Sequence, residues 1–280
     1  MVSFPPAATR PAPPGRNAPL PPSTGDGPAG QHGAVPPPTA AAVVLAGGGG
    51  TRVRADRNKV YLPLAGRSVL ARSLDLVAGT PGVGVVVLVV RPQDRHLAET
   101  VLAEIGGPVE LTDGGATRQD SELAALRWLG PRIRNGAVDA VLIHDGARPL
   151  ASAALVAAVL AAAREHGGAV PGVWRSDLAA VAKVMPGPGG NATAGERLAT
   201  PAPGLVAVQT PQGFRAGRLL EAYEAAARCG FVGTDTASCV ARFTDLQVRR
   251  VPGEERNIKI TYAHDLDVAN AVLARRAHLA

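Results

Sequence analysis

The chain has 280 residues, 46% of them hydrophobic but only 3% aromatic, which suits one α/β domain with a tail, or two small domains, around a core of Ala, Val and Leu. Its longest apolar runs, such as Val83–Val90, fall far short of the ~20 residues of a membrane helix, and no compact apolar leader opens the chain, so neither a membrane span nor a secretory signal is expected. The net charge of +6 comes from basic residues scattered without a dense run, a pattern that argues against nucleic acid and suits a small polyanionic substrate.

Residues 1–38 hold 12 of the 25 prolines and no periodic apolar pattern, and read as a disordered, proline-rich tail. From residue 39 to 280 the text reads as one domain, with residues 173–204 as a protruding arm. Ala41–Ala46 is a short apolar run expected to be a strand buried on both faces, entering Gly47–Gly50. Ser68 reads as the N-cap of a helix to Ala78 that Gly79 closes. Val83–Val90 is a second buried strand, Asp94–Ile105 helical, and Val109–Leu111 a brief strand before Asp113-Gly114-Gly115. A helix through Asp120–Leu129, a buried strand at Val138–His144 and a helix at Ala151–His166 follow. Residues 173–204 read as a hairpin arm around Pro186–Gly190. Leu205–Gln209 reads as a strand, Gly217–Arg228 as a helix, Gln247–Val251 and Asn257–Thr261 as strands, and Ala263–Ala277 as the closing helix. Strands and helices alternating at this spacing imply βαβ units and a Rossmann-like, doubly wound, mainly parallel sheet, with ligands bound beyond the carboxyl ends of its strands. Three strands end in polar or glycine-rich text, at Gly47–Lys59, Asp113–Ser121 and Asp145–Pro149, which predicts one site at one edge.

The chemistry follows from these strand ends. Glycines directly after a buried strand allow backbone N–H groups to approach a phosphate, and a cation just beyond them neutralises charge that grows on a breaking triphosphate. Leu45–Arg52, with Lys59 seven residues on, supplies both. It is neither a Walker loop, lacking Gly-Lys-Ser/Thr, nor a dinucleotide fingerprint, lacking the third glycine. Lysine is otherwise scarce: of 29 basic residues only Lys59, Lys183 and Lys259 are lysine, which marks them as places for a compact ammonium. The two cysteines, Cys229 and Cys239, form no disulfide framework or metal cluster and read as reduced thiols of a cytoplasmic protein.

The string L-A-G-G-G-G-T-R, followed by lysine and Tyr61-Leu62-Pro63-Leu64, resembles the opening of sugar-phosphate and polyol-phosphate nucleotidyltransferases. Further on stand Gly114-Gly115-Ala116-Thr117-Arg118-Gln119-Asp120-Ser121, the run Val141–Pro149, Val208–Phe214, Thr234-Asp235-Thr236-Ala237-Ser238, and Asn257–Thr261. In this order they resemble the 2-C-methyl-D-erythritol 4-phosphate cytidylyltransferase family over about residues 41–273. The resemblance implies transfer of CMP from CTP to the phosphate of 2-C-methyl-D-erythritol 4-phosphate, with release of pyrophosphate, Mg²⁺ as cofactor, and a homodimer joined through the arm. It makes Arg52, Lys59 and Lys259 catalytic, Ala46, Gly47, Gly48, Gly49, Gly50, Gly115 and Ser121 nucleotide-binding, and Asp145, Arg148, Thr234 and Asp235 substrate-binding. No metal ligand is assigned. His144 reads as a satisfied strand-end residue, since a phosphomonoester nucleophile needs no protein base.

The match has departures. The family's acidic residue and threonine on the arm align with Ala180-Val181 or Asp177-Leu178, and its arginine before Thr-Pro-Gln aligns with Ala202. Arg175 or Arg197 stands near enough in sequence to replace that arginine. Asn58 replaces the usual proline before the lysine, and Glu122 the usual apolar residue after Ser121. The altered arm leaves two alternatives open: a cytidylyltransferase for another polyol or sugar phosphate such as ribitol 5-phosphate, or a non-catalytic nucleotide-binding relative.

Overall fold

The computed structural model describes residues 38–48, 58–174, 181–183, 196–198 and 206–277. The expected tail, the second half of the glycine loop with Arg52, and most of the arm lie outside these residues. β1 (Thr39–Leu45), β4 (Val83–Val90), β5 (Glu110–Asp113) and β6 (Val138–Asp145) run parallel in the order β5-β4-β1-β6. The short pair β2 (Pro63–Leu64) and β3 (Arg67–Ser68) leads into α1 (Val69–Ala78), which Ser68 caps through its hydroxyl and Gly79 ends.

The sheet alternates strictly in its apolar side chains. Ala40, Ala42, Val44, Leu88 and Leu142 face one layer, where α1, α2 (Arg95–Leu102) and α4 (Ala153–His166) cover them. Ala41, Val43, Val87, Val141 and Ile143 face the other, under α3 (Arg118–Arg134) and α5 (Ala216–Cys229). Burial on both faces explains why these strands read as unbroken apolar runs. Small alanines in β1 leave room for Leu70, Leu74 and Leu126, all fully buried.

Beyond β6 the sheet becomes mixed. β7 (Gly167–Trp174) begins where α4 ends, with β11 (Gln212–Arg215) inserted antiparallel between β6 and β7. β10 (Val206–Val208) pairs antiparallel, and β12 (Gln247–Pro252) parallel, with β7. β7 and β11 were not expected from the sequence, which gave a helix to His166 and no element at Gln212–Arg215. Gly167 does end α4, at φ +100°, but the same residue opens the strand. In the arm, β8 (Val181–Lys183) pairs antiparallel with β9 (Glu196–Leu198). α6 (Thr236–Phe243), a helix the sequence reading did not assign, is capped by Asp235, and α7 (Ala263–Ala277) closes the chain.

Asn257–Thr261 is not a strand, contrary to the sequence expectation. The segment is pinned by individual bonds rather than by a ladder. The fully buried Asn257 donates through Nδ2 to the Thr210 carbonyl at 3.0 Å, and the Ile260 N–H donates to the Ala147 carbonyl at 2.8 Å. Ile260 also plugs a third apolar cluster formed with Leu64, Val69, Leu150 and Ala269 of α7. Ile260→Ala empties that plug, and denaturant unfolding is expected to show a loss of about 2–5 kcal/mol; a change within 0.5 kcal/mol means the segment is held by its polar bonds alone.

Candidate active site

Register brings the strand ends level: Leu45 of β1 pairs with Asp145 of β6 and with Val89 of β4, and Val90 pairs with Asp113 of β5. The three marked loops therefore leave from one edge, around a cavity of about 390 Å³. Leu45, Gly47 and Gly48 line it from the first loop, Asn58, Lys59 and Val60 from the turn that follows, and Gly115, Ala116, Thr117, Arg118 and Ser121 from the start of α3. Asp145, Ala147, Lys259 and Thr261 complete the lining.

Each wall has a local cause. Among the described residues a Cβ on Gly48 would meet no atom within 4 Å, so they leave that backbone uncovered on the cavity side. A Cβ on Gly115 would stand 2.3 Å from the Asp120 Cβ, so only glycine allows the loop to close over the first turn of α3. That turn is fixed by a capping box in which Thr117 and Asp120 bond each other's backbone N–H, aiming the helix N-terminus, with its positive dipole, at the cavity. Lys59 begins a single 3₁₀ turn that Asn58 caps. The buried Asn58 amide also donates to the Ala46 carbonyl at 2.8 Å and to Asp94 at 3.4 Å, tying the lysine turn to the end of β1. Here asparagine does by hydrogen bonding what a proline does by fixing its own backbone angle.

Asp145 is the electrostatic centre. Arg118 Nη1 donates to its Oδ1, Lys259 Nζ stands 2.9 Å from its Oδ2, and Arg148 Nε lies 3.5 Å from the same Oδ2. Burial alone would raise its pKa, but Arg118 and Lys259 outweigh it and hold the carboxyl well below the usual carboxylate range. Behind Arg118, the buried Glu122 receives the Tyr223 hydroxyl on Oε2 and the Thr236 hydroxyl on Oε1 at 3.0 Å. Burial pushes the Glu122 carboxyl up and the Tyr223 phenol well up.

Not every residue selected from the sequence lies on the cavity wall. Gly47, Gly48, Lys59, Gly115, Ser121, Asp145 and Lys259 do. Ala46 is buried behind it, its carbonyl holding Asn58. Arg148 turns inward, donating to the Asn257 carbonyl at 2.7 Å. Thr234 and Asp235 line a smaller neighbouring cavity of about 90 Å³ that shares Thr117 and Arg118 with the first, and Asp235 accepts from the Ser238 N–H as the cap of α6. Gly49, Gly50 and Arg52 lie outside the described residues. Arg118 was missed as a site residue, although its place at the first position of a glycine-led helix, four before an acid, was a usable signal.

Magnesium takes six oxygens and keeps several waters. Asp145 is the acid among the described lining residues, and both its oxygens carry cations. Among the described residues no group of three or more His, Cys, Asp or Glu side chains is placed to hold a metal. The donors among the described residues thus do not fit a resident magnesium site.

The model of the IspD family, 2-C-methyl-D-erythritol 4-phosphate cytidylyltransferase, matches residues 40–275. The chain belongs to this family. It is 40% identical over 230 residues to the 2-C-methyl-D-erythritol 4-phosphate cytidylyltransferase of Cereibacter sphaeroides, covering 82% of this chain and 95% of that one. To the enzyme of the same name from Geobacillus kaustophilus it is 38% identical, covering 81% and 93%. Its fold superposes on the crystal structure of 4-diphosphocytidyl-2C-methyl-D-erythritol synthase from Anaerococcus prevotii with a TM-score of 0.69 at 28% identity, over 85% of this chain and 96% of that one. This member of the IspD family is thus a cytidylyltransferase of isoprenoid-precursor synthesis. Among its described residues no helix is long and apolar enough to cross a membrane.

His144 is fully buried in the wall of β6, its Nε2 3.2 Å from the Arg148 carbonyl and its Nδ1 3.3 Å from the Thr210 hydroxyl. Burial pushes its pKa down to about 4. The unfolded chain therefore takes up a proton near pH 6.5 that the native protein refuses. Stability is expected to fall by about 3 kcal/mol between pH 6.5 and pH 4 and then to level off in this contribution. His144→Gln removes that slope; an unchanged slope in pH-dependent urea unfolding means another group causes it.

Proposed function

We propose that the cavity binds CTP, entering as its magnesium complex, and that the phosphate of 2-C-methyl-D-erythritol 4-phosphate attacks its α-phosphorus there. One observation carries the reading: Lys59, Lys259, Arg118 and the glycine backbone of two loops converge on a single cavity. An acceptor phosphate oxygen forms a bond to the α-phosphorus, the α–β bridging bond breaks, and pyrophosphate leaves with the electron pair. A phosphomonoester is largely dianionic near neutral pH, so no side chain need take a proton. The bound ion supplies charge neutralisation across the triphosphate oxygens. The glycine backbone and the α3 N-terminus hold the nucleotide, Lys59 and, from the sequence match, Arg52 balance charge at the α- and β-phosphates, and Lys259, steadied by Asp145, meets the acceptor phosphate.

The altered arm supports a second reading of the acceptor, because Ala202 offers no cation to a dianion. Pyrophosphate release from CTP with 2-C-methyl-D-erythritol 4-phosphate supports the first reading; release only with ribitol 5-phosphate or another polyol phosphate supports the second. CTP binding with no release from any acceptor overturns both. Lys59→Ala is expected to lower kcat by about a hundredfold or more while CTP still binds, and unchanged turnover removes Lys59 from its role. A homodimer through residues 173–204 is supported by Trp174 and Val208, both large, apolar and exposed on adjoining strands at the root of the arm. Sedimentation equilibrium is expected to give about twice the chain's 28.5 kDa; a monomer at tens of micromolar overturns it.

A further inference from the structure

The Arg118 guanidinium sits between two buried carboxylates. Nη1 donates to Asp145, while Nε stands 2.9 Å from Glu122 Oε1 as an ion pair not aligned as a hydrogen bond. Among the described residues, Glu122 receives the Tyr223 and Thr236 hydroxyls and stands beside the Arg118 guanidinium, which favours its ionised form against the burial that opposes it. Asp145 has its other oxygen on Lys259. A chain of contacts therefore runs from α5 and α6, through Glu122 and Arg118, to Asp145 and the lysine on the cavity wall.

We propose that Glu122, held by Tyr223 and Thr236, is a positioning residue that divides Arg118 between two carboxylates and so leaves Asp145 Oδ2 to Lys259. With Glu122 absent, Arg118 has one anion instead of two, and its planar fork matches both oxygens of Asp145. Lys259 then loses its partner and its fixed place on the wall. Glu122 itself does not line the main cavity; it acts through Arg118. The effect on turnover rests on the reading of Lys259 as the group that meets the acceptor phosphate, whereas the effect on Lys259 does not.

Two variants and two readouts test this. In Glu122→Gln the shape is kept and the charge removed; in Tyr223→Phe one hydroxyl on Glu122 is removed, away from the main cavity. Glu122→Gln is expected to lower kcat/KM for the polyol phosphate about tenfold, with the Kd for CTP changed less than about twofold. Tyr223→Phe is expected to give about a threefold loss, and the double variant no more than Glu122→Gln alone. The second readout is the acylation rate of Lys259, followed by mass spectrometry with Lys183 as internal reference. It is expected to rise about threefold or more in Glu122→Gln as the pairing with Asp145 loosens. If Glu122→Gln fails to fold, Tyr223→Phe decides by the same two measurements. Folded variants with unchanged Lys259 labelling overturn the inference, as does a loss shared equally by CTP binding and acceptor kcat/KM. A wild-type protein that turns over no acceptor counts against the functional reading, and Lys259 labelling then tests the inference alone.

Discussion

The site depends on one buried carboxylate. Asp145 ends a central strand inside the protein, where an unpaired charge would be prohibitively costly, and three cations gather on it in consequence. Arg118 comes from a helix start, Arg148 from the loop after β6, and Lys259 from a segment far along the chain, so one charge organises three separate stretches of sequence. Against these three cations the described surroundings set two carboxylates, Asp145 and Glu122, leaving a positive surplus within that cluster. That surplus suits a polyanionic ligand whose own negative charge restores the balance.

The scaffold makes this arrangement rigid where it must be. Asp145 is held on one flank by its pairing with Leu45 of β1 and on the other by Thr210, to whose hydroxyl its own N–H donates at 3.0 Å. Gly48, by contrast, is exposed, and among the described residues nothing stands within 4 Å of where its Cβ would be. Fixed charge and accessible backbone thus stand side by side at one sheet edge, the place where parallel sheets offer their ligands a crevice.

Much of this was legible in the sequence because local signals and tertiary structure agreed. Val83–Val90 and Ser68–Gly79 carry their own boundaries, an apolar run in one case and a cap at each end in the other, and the structure keeps both. The active edge was readable from polar text at three strand ends. What was illegible depends on long-range partners. β11 exists because it inserts between two strands far from it in sequence, and its four residues carry no period of their own. Asn257–Thr261 has the composition of a strand, but its backbone is claimed by Ala147 and its side chains by buried carbonyls and an apolar plug. Arg148 looked like a ligand-facing arginine because its role is set by the Asn257 carbonyl, which adjacency in sequence does not reveal.

The late position of Lys259 has a consequence for biogenesis. The strands and glycine loops that shape the cavity leave the ribosome well before this lysine, and the plug that seats it needs Ala269 of the final helix. A nascent chain can therefore assemble its parallel sheet and the pocket's outline while the group that steadies Asp145 from the open side is still unsynthesised. A chain that stops before residue 259 can keep the strands and the glycine loops while lacking the ammonium that pairs with Asp145.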